Sequence, residues 1–99
     1  MDGGAHISPE IVARYAGDVA REVPGVARLV ESALHRHAGV RVTGEAERPA
    51  IVVHVAAKWG APLQGLGREL QRRVADYLER MAGVRPASID VVVEEVDTP

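Results

Sequence analysis

The chain has 99 residues, a formal net charge of −2 and neither cysteine nor phenylalanine, its aromatic residues being Trp59, Tyr15 and Tyr77. That length fits one domain with one thin two-layer core, which must be built from Val, Leu and Ala. Without cysteine there is no disulfide, thiolate nucleophile or cysteine-ligated zinc, and the evenly spread charge argues against nucleic acid, which ordinarily meets a basic stripe.

Residues 1–7 read as a flexible N-terminus that has neither the basic region nor the apolar stretch of a signal peptide. Ser8-Pro9-Glu10 then predicts a helix start: Ser as N-cap, Pro at the first helical position and an acid in the positive first turn. Ile11, Val12, Tyr15, Ala16, Val19, Ala20 and Val23 form one apolar stripe at helical spacing, and Pro24-Gly25 stops it. Glu10, Arg14 and Asp18 line the opposite, wet face.

The next segment satisfies two patterns. Val26, Leu29, Val30, Ala33 and Leu34 follow helical spacing, yet Val26 to Glu31 is short, Val-rich and directly behind a Pro-Gly turn, as a strand would be. The residues alone leave both readings open.

Val40 and Val42 alternate with Arg41 and Thr43, the period of a strand. After the polar, turn-forming stretch Gly44 to Pro49, Ile51, Val53, Val55, Ala57 and Trp59 form a continuous apolar face, with Val52, His54, Ala56 and Lys58 opposite. The two segments predict an antiparallel hairpin, with Trp59 closing the core at the strand's end. The longest apolar run, Ala50 to Ala57, is too short to span a bilayer.

Gly60-Ala61-Pro62 opens a second long helix, in which Leu63, Leu66, Leu70, Val74, Tyr77, Leu78 and Met81 step by three and four. Gly65 and Gly67 weaken its first turns, and two roles fit them: close approach to the sheet, or fraying. Gly83 stands where a left-handed C-terminal cap belongs. Ser88 to Val96 is the last strand, with Ile89, Val91 and Val93 inward and Asp90, Val92 and Glu94 outward. The strand–helix–strand unit from Ala50 to Val96 predicts a right-handed crossover.

Candidate chemistry is thin. His35 and His37 could present two imidazoles to a metal, but no third ligand is evident, so a polar surface pair is the better reading. His54, between Val53 and Val55, lacks the neighbouring nucleophile or groove that a general base needs. Gly60 to Gly67 follows a strand and is glycine-rich, yet it has neither phosphate-loop spacing nor the Lys, and Pro62 removes a backbone donor. Ser8, Ser32 and Ser88 fall in a cap, an uncertain turn and a strand start, none beside a His and a carboxylate. No catalytic residue, cofactor site or metal site is therefore assigned. Arg68, Arg72, Arg73 and Arg80 on the second long helix could meet an anionic partner, although Glu69, Asp76 and Glu79 interleave with them.

The order of features resembles a known family. Ile7-Ser8-Pro9-Glu10-Ile11-Val12 leads to Glu22-Val23-Pro24-Gly25-Val26, a strand ends in Trp59-Gly60, a long helix runs to Met81-Ala82-Gly83-Val84, and the chain closes on Ile89-Asp90-Val91-Val92-Val93. From about Ile7 to Val96 this is similar to the alkaline shock protein family of bacterial envelope stress response proteins. Trp59 stands where that family usually has Tyr, and Asp90 where Asn is frequent. The resemblance implies a non-enzymatic, cytoplasmic protein that self-associates and gathers near the membrane through a separate anchor protein, without inserting itself. It also implies that Val26 to Glu31 is a strand, followed by a helical turn at Ser32 to His37.

The expected architecture is an α+β two-layer sandwich spanning residues 8–96, with a short tail at 97–99: a mixed sheet of about four strands with two long helices packed on one face. The other sheet face offers Val52, His54, Ala56 and Val92 as a weak self-association surface, and Arg68, Arg72 and Arg80 are the candidate partner face. The expected function is a scaffold or interaction module in envelope stress. The alternative is an RNA-associated αβ module using the arginine-bearing helix.

Overall fold

The computed structural model describes residues 7–31 and 39–99. The His35 and His37 pair and the helical turn expected at Ser32 to His37 lie outside the described residues. The elements follow in the order α1 (Pro9–Arg21), β1 (Val26–Leu29), β2 (Val40–Gly44), β3 (Pro49–Ala57), α2 (Leu63–Ala82) and β4 (Ser88–Val96).

Helix α1 begins as its sequence requires. The Ser8 hydroxyl accepts from the Ile11 N–H at 3.2 Å, Pro9 occupies the first turn, and Glu10 sits at the positive end of the dipole. Its buried face is Val12, Ala13, Ala16, Gly17 and Ala20. The small residues let it lie close to the sheet: a Cβ on Gly17 would stand 3.3 Å from Leu29 Cδ1. Helix α2 ends at Gly83, whose left-handed backbone (φ 66°) turns its N–H onto Glu79 O, while Val84 N–H reaches Leu78 O at 3.2 Å. The buried stripe of α2 is Leu66, Leu70, Val74 and Leu78, with Leu63 and Met81 exposed at its two ends rather than in the core.

The sheet is mixed and centred on β3. β4 runs parallel to it on one side, joined through α2. β1 and β2 are both antiparallel to it, β2 along Pro49 to Val53 and β1 along Val55 to Ala57. They share one edge of β3, end to end. His54 shows this: its carbonyl accepts from Val30 N–H at 2.9 Å, and its own N–H donates to Gly39 O at 2.9 Å. A residue's N–H and C=O point to the same side of a strand, so Val30 and Gly39 occupy one rung. Gly39 needs to be glycine there, because at φ 87° an added Cβ would stand 2.8 Å from Val30 O.

The segment after the Pro-Gly turn is thus a strand, as the family resemblance implies and against its helical spacing, although it ends at Leu29. Both helices pack on the same sheet face. Val12, Ala16, Leu70, Val74 and Leu78 meet Val40, Ile51, Val53, Val55 and Ala57 in one core, and Tyr15 meets Tyr77 edge to face at 5.8 Å between ring centres.

Two expectations are corrected. β3 ends at Ala57, and Trp59 lies in the following turn, 64 % exposed instead of closing the core. The Lys58–Gly60 turn, with Gly60 at φ 85°, carries the indole off the alternating face. Gly65 and Gly67 do not serve close approach to the sheet, since an added Cβ would meet nothing nearer than Pro62 Cγ at 4.0 Å.

Candidate interaction surfaces

The sheet face turned away from the helices carries Arg28, Arg41, Thr43, Ala50, Val52, His54, Ala56, Asp90, Val92, Glu94 and Glu95. Its chemistry follows from the strand register. Ala56 is aligned with Arg28 on one side and Glu95 on the other. With only a methyl group between them, Arg28 Nη2 reaches Glu95 Oε1 at 2.8 Å and Asp97 Oδ1 at 3.4 Å. This ion pair arches over Ala56, which is 0 % exposed. Glu95, then Asp97, raises the already high pKa of the Arg28 guanidinium.

A bulge sets this up. The β3–β4 register shifts between Val55 and Ala56, so that Val93 aligns with Val55 but Glu95, not Glu94, aligns with Ala56. Strict alternation would turn one of two consecutive acids into the aliphatic core, at a heavy desolvation cost. The extra residue keeps both outside, and Glu94 Oε2 accepts from His54 Nδ1–H at 2.7 Å.

The four residues expected to form a self-association face therefore divide. Val52 is half-buried and Val92 is 38 % exposed, so both remain accessible. Ala56 is covered by the Arg28–Glu95 pair, and His54 is buried beside Glu94, so neither lies open on the face as expected.

The arginines of α2 also divide. Arg72 and Arg80 line a groove of about 400 Å³ between the helices, with Asp18, Glu22, Arg73, Asp76 and others; Arg68 is not part of it. Arg72 and Arg73 at its edge are matched locally. Glu69 Oε2 accepts from Arg72 at 2.7 Å and from Arg73 at 2.7 Å, and Arg72 also meets Asp76 at 3.5 Å. Hydrogen bonds from Arg72 and then Arg73 hold the Glu69 carboxyl below the usual glutamate range, and Glu69 in turn raises Arg72. Arg80 lies over the Tyr77 ring, 5.9 Å from its centre.

A third surface was not expected from the sequence. Pro24, Gly25, Trp59, Gly60, Pro62 and Leu66 line much of an open, mainly apolar hollow of about 560 Å³ at one end of the molecule, with Lys58, Glu69 and Arg73 on its rim. Trp59 is 64 % exposed, and Leu63, also 44 % exposed, lies in the adjoining first turn of α2. The signal was present in Trp59-Gly60-Ala61-Pro62, a large aromatic immediately followed by turn formers. Such an aromatic is as readily swung outward as kept in strand alternation.

Among the described residues no group of three or more His, Asp or Glu side chains could hold a metal ion, and no helix is long and apolar enough to cross a membrane.

The sequence matches the model of the alkaline shock protein 23 family, described as having a cell envelope-related function, over residues 1–98. No curated protein sequence matches it. Several solved structures share its fold. A zinc form of the MamM CTD with an Asp-to-Asn substitution aligns with TM-score 0.58 at 16 % identity, covering 91 % of this chain and 87 % of that one. A manganese form with a Glu-to-Asp substitution aligns with TM-score 0.54 at 16 % identity, covering 91 % and 98 %. A His-to-Ala variant gives 0.58 at 16 % identity, covering 90 % and 98 %. At such identity the likeness carries the fold alone, and the metals belong to those proteins.

Proposed function

Because this chain belongs to the alkaline shock protein 23 family, whose function is cell envelope-related, we propose that it is a non-enzymatic cytoplasmic scaffold. It self-associates and docks onto a membrane-anchor protein. The observation that carries the docking role is the hollow around Trp59. A Trp left 64 % exposed, beside Pro24 and Pro62 and close to an exposed Leu63, is costly for a surface with no partner. Tryptophan in a preformed apolar depression is also the residue type that dominates binding energy at interfaces. The α2 groove supports an RNA-binding role less well, since Arg72 and Arg73 are already committed to Glu69.

The test is recovery of partners from native membranes with the wild-type chain and with Trp59→Ala. The wild type should retain a membrane protein that the variant loses. Because Trp59 lies outside the core, the variant should keep its stability within about 0.5 kcal/mol. The wild-type chain's exposed indole should also emit near the fully solvated wavelength in the native state. Equal recovery by both chains, or none by either, would remove the hollow as the anchor site.

A further inference from the structure

The outer sheet face is divided into two columns of opposite charge. On the β1/β2 side of β3 stand Arg28 and Arg41; on the β4 side stand Asp90, Glu94 and Glu95. At Ala56 the columns meet, as the 2.8 Å Arg28–Glu95 pair. Four residues along β3, Arg41 and Asp90 are the aligned neighbours of Val52. They stand two strand spacings apart, roughly 10 Å between backbones, and the Val52 side chain rises between them. Both are exposed, and among the described residues neither enters an ion pair. One row of the face is electrostatically closed, and the other is open with one charge of each sign.

We infer that a second copy of this chain covers this face, with the two β3 strands running in the same direction, so that Arg41 of each copy meets Asp90 of the other. This rests on the self-association proposed above and specifies its geometry. Two sheets packed face to face keep their strands within about 30° of alignment, and a two-fold contact must be self-complementary. Two such axes are available in the contact plane. Rotation about an axis parallel to β3 lays the β2 side of one copy over the β4 side of the other, placing basic on acidic. Rotation about an axis perpendicular to β3 lays each column on itself, basic on basic and acidic on acidic. Opposite charges directly across a contact stabilise it and like charges oppose it, so the charge layout selects the first arrangement.

Val52 and Val92 supply the apolar centre of that contact, and the small side chain of Ala50 leaves room beside them. Three strand columns of this length present roughly 450 Å² per copy, short of the roughly 800 Å² per partner in a standard stable interface. The dimer is therefore weak, concentration-dependent and sensitive to salt.

The experiment is sedimentation velocity over a wide concentration range with wild type, Arg41→Asp, Asp90→Arg and an equimolar mixture of the two variants. Each reversal alone creates two like-charge contacts and should weaken dimerisation at least about tenfold, or ~1.4 kcal/mol. The mixture restores both opposite-charge contacts and should form a heterodimer as tight as the wild-type dimer. Both positions are exposed, so thermal melts should be unchanged; if a reversal disturbs folding, Arg41→Gln and Asp90→Asn replace it, each expected to lower the salt dependence of dimerisation. A wild type that dimerises while the reversals have no effect, or in which Arg41→Asp binds itself more tightly, overturns this arrangement but leaves self-association standing. An unchanged salt dependence in the neutral variants overturns it in the same way. A wild type that stays monomeric throughout overturns both.

Discussion

The two faces of β3 follow opposite rules although their residues alternate along one strand. Ile51, Val53, Val55 and Ala57 point toward the helices and are fully buried by aliphatic packing. Ala50, Val52, His54 and Ala56 point the other way, and where these are hidden they are hidden by charge: Ala56 by Arg28 and Glu95, His54 beside Glu94. Equal burial thus arises from unequal physics. Burial against Leu70 excludes water permanently, whereas burial beneath an exposed ion pair lasts only as long as two long side chains hold their positions.

The strongest way to break this contrast is to open the helix side. Leu70→Ala should cost about 2–5 kcal/mol, a large share of the roughly 5–15 kcal/mol that holds a domain folded. Urea or thermal unfolding measures it, and a melt within a degree or two of wild type would take Leu70 out of the core. On the outer side the expected effect is smaller. A double-mutant cycle on Arg28 and Glu95 should give a coupling of about 0.2–1 kcal/mol that fades with added salt. A salt-insensitive coupling of several kcal/mol would mean that this pair behaves as an interior one.

Only one of these two faces was legible in the sequence. Alternation from Ile51 to Ala57 and the helical stripe through Leu66, Leu70, Val74 and Leu78 each meet a continuous apolar layer, so local pattern and final burial agree. The cover over Ala56 depends on Arg28 and Glu95, one early and one late in the chain, and on a bulge at Glu94 that no local pattern announces. β1 was misleading for a related reason: Val26, Leu29 and Val30 satisfy a helical period, but pairing with Val55 to Ala57 satisfies their backbone groups as a strand. Trp59 failed in the opposite direction. It continues the alternation perfectly, yet the strand ends at Ala57 and the turn through Gly60 carries the indole away. The interleaved acids of α2 announced local neutralisation, and Arg72 and Arg73 show it at Glu69, whereas Glu79 turns to Arg85 instead of Arg80.

The smallest expected effect carries the comparison to the wet side of α2. Glu69, held below the ordinary glutamate range by Arg72 and then Arg73, should titrate below about 4.3, the usual glutamate value. Its contribution to stability is complete above that value and is lost as pH falls through the lowered native pKa. Carboxyl NMR titration of Glu69 gives the midpoint directly, and Glu69→Gln should remove this part of the acid sensitivity. A midpoint at or above the ordinary value would detach Glu69 from the arginines.

The shared rung at His54 also acts as a register lock on the sheet. Val30 and Gly39 are both hydrogen-bonded to that one residue, through its carbonyl and its N–H, so β1 and β2 fix each other's place along the same edge of β3. A one-residue slip of either strand would turn its inward side chains outward, and the other strand already occupies the rung into which it would slide.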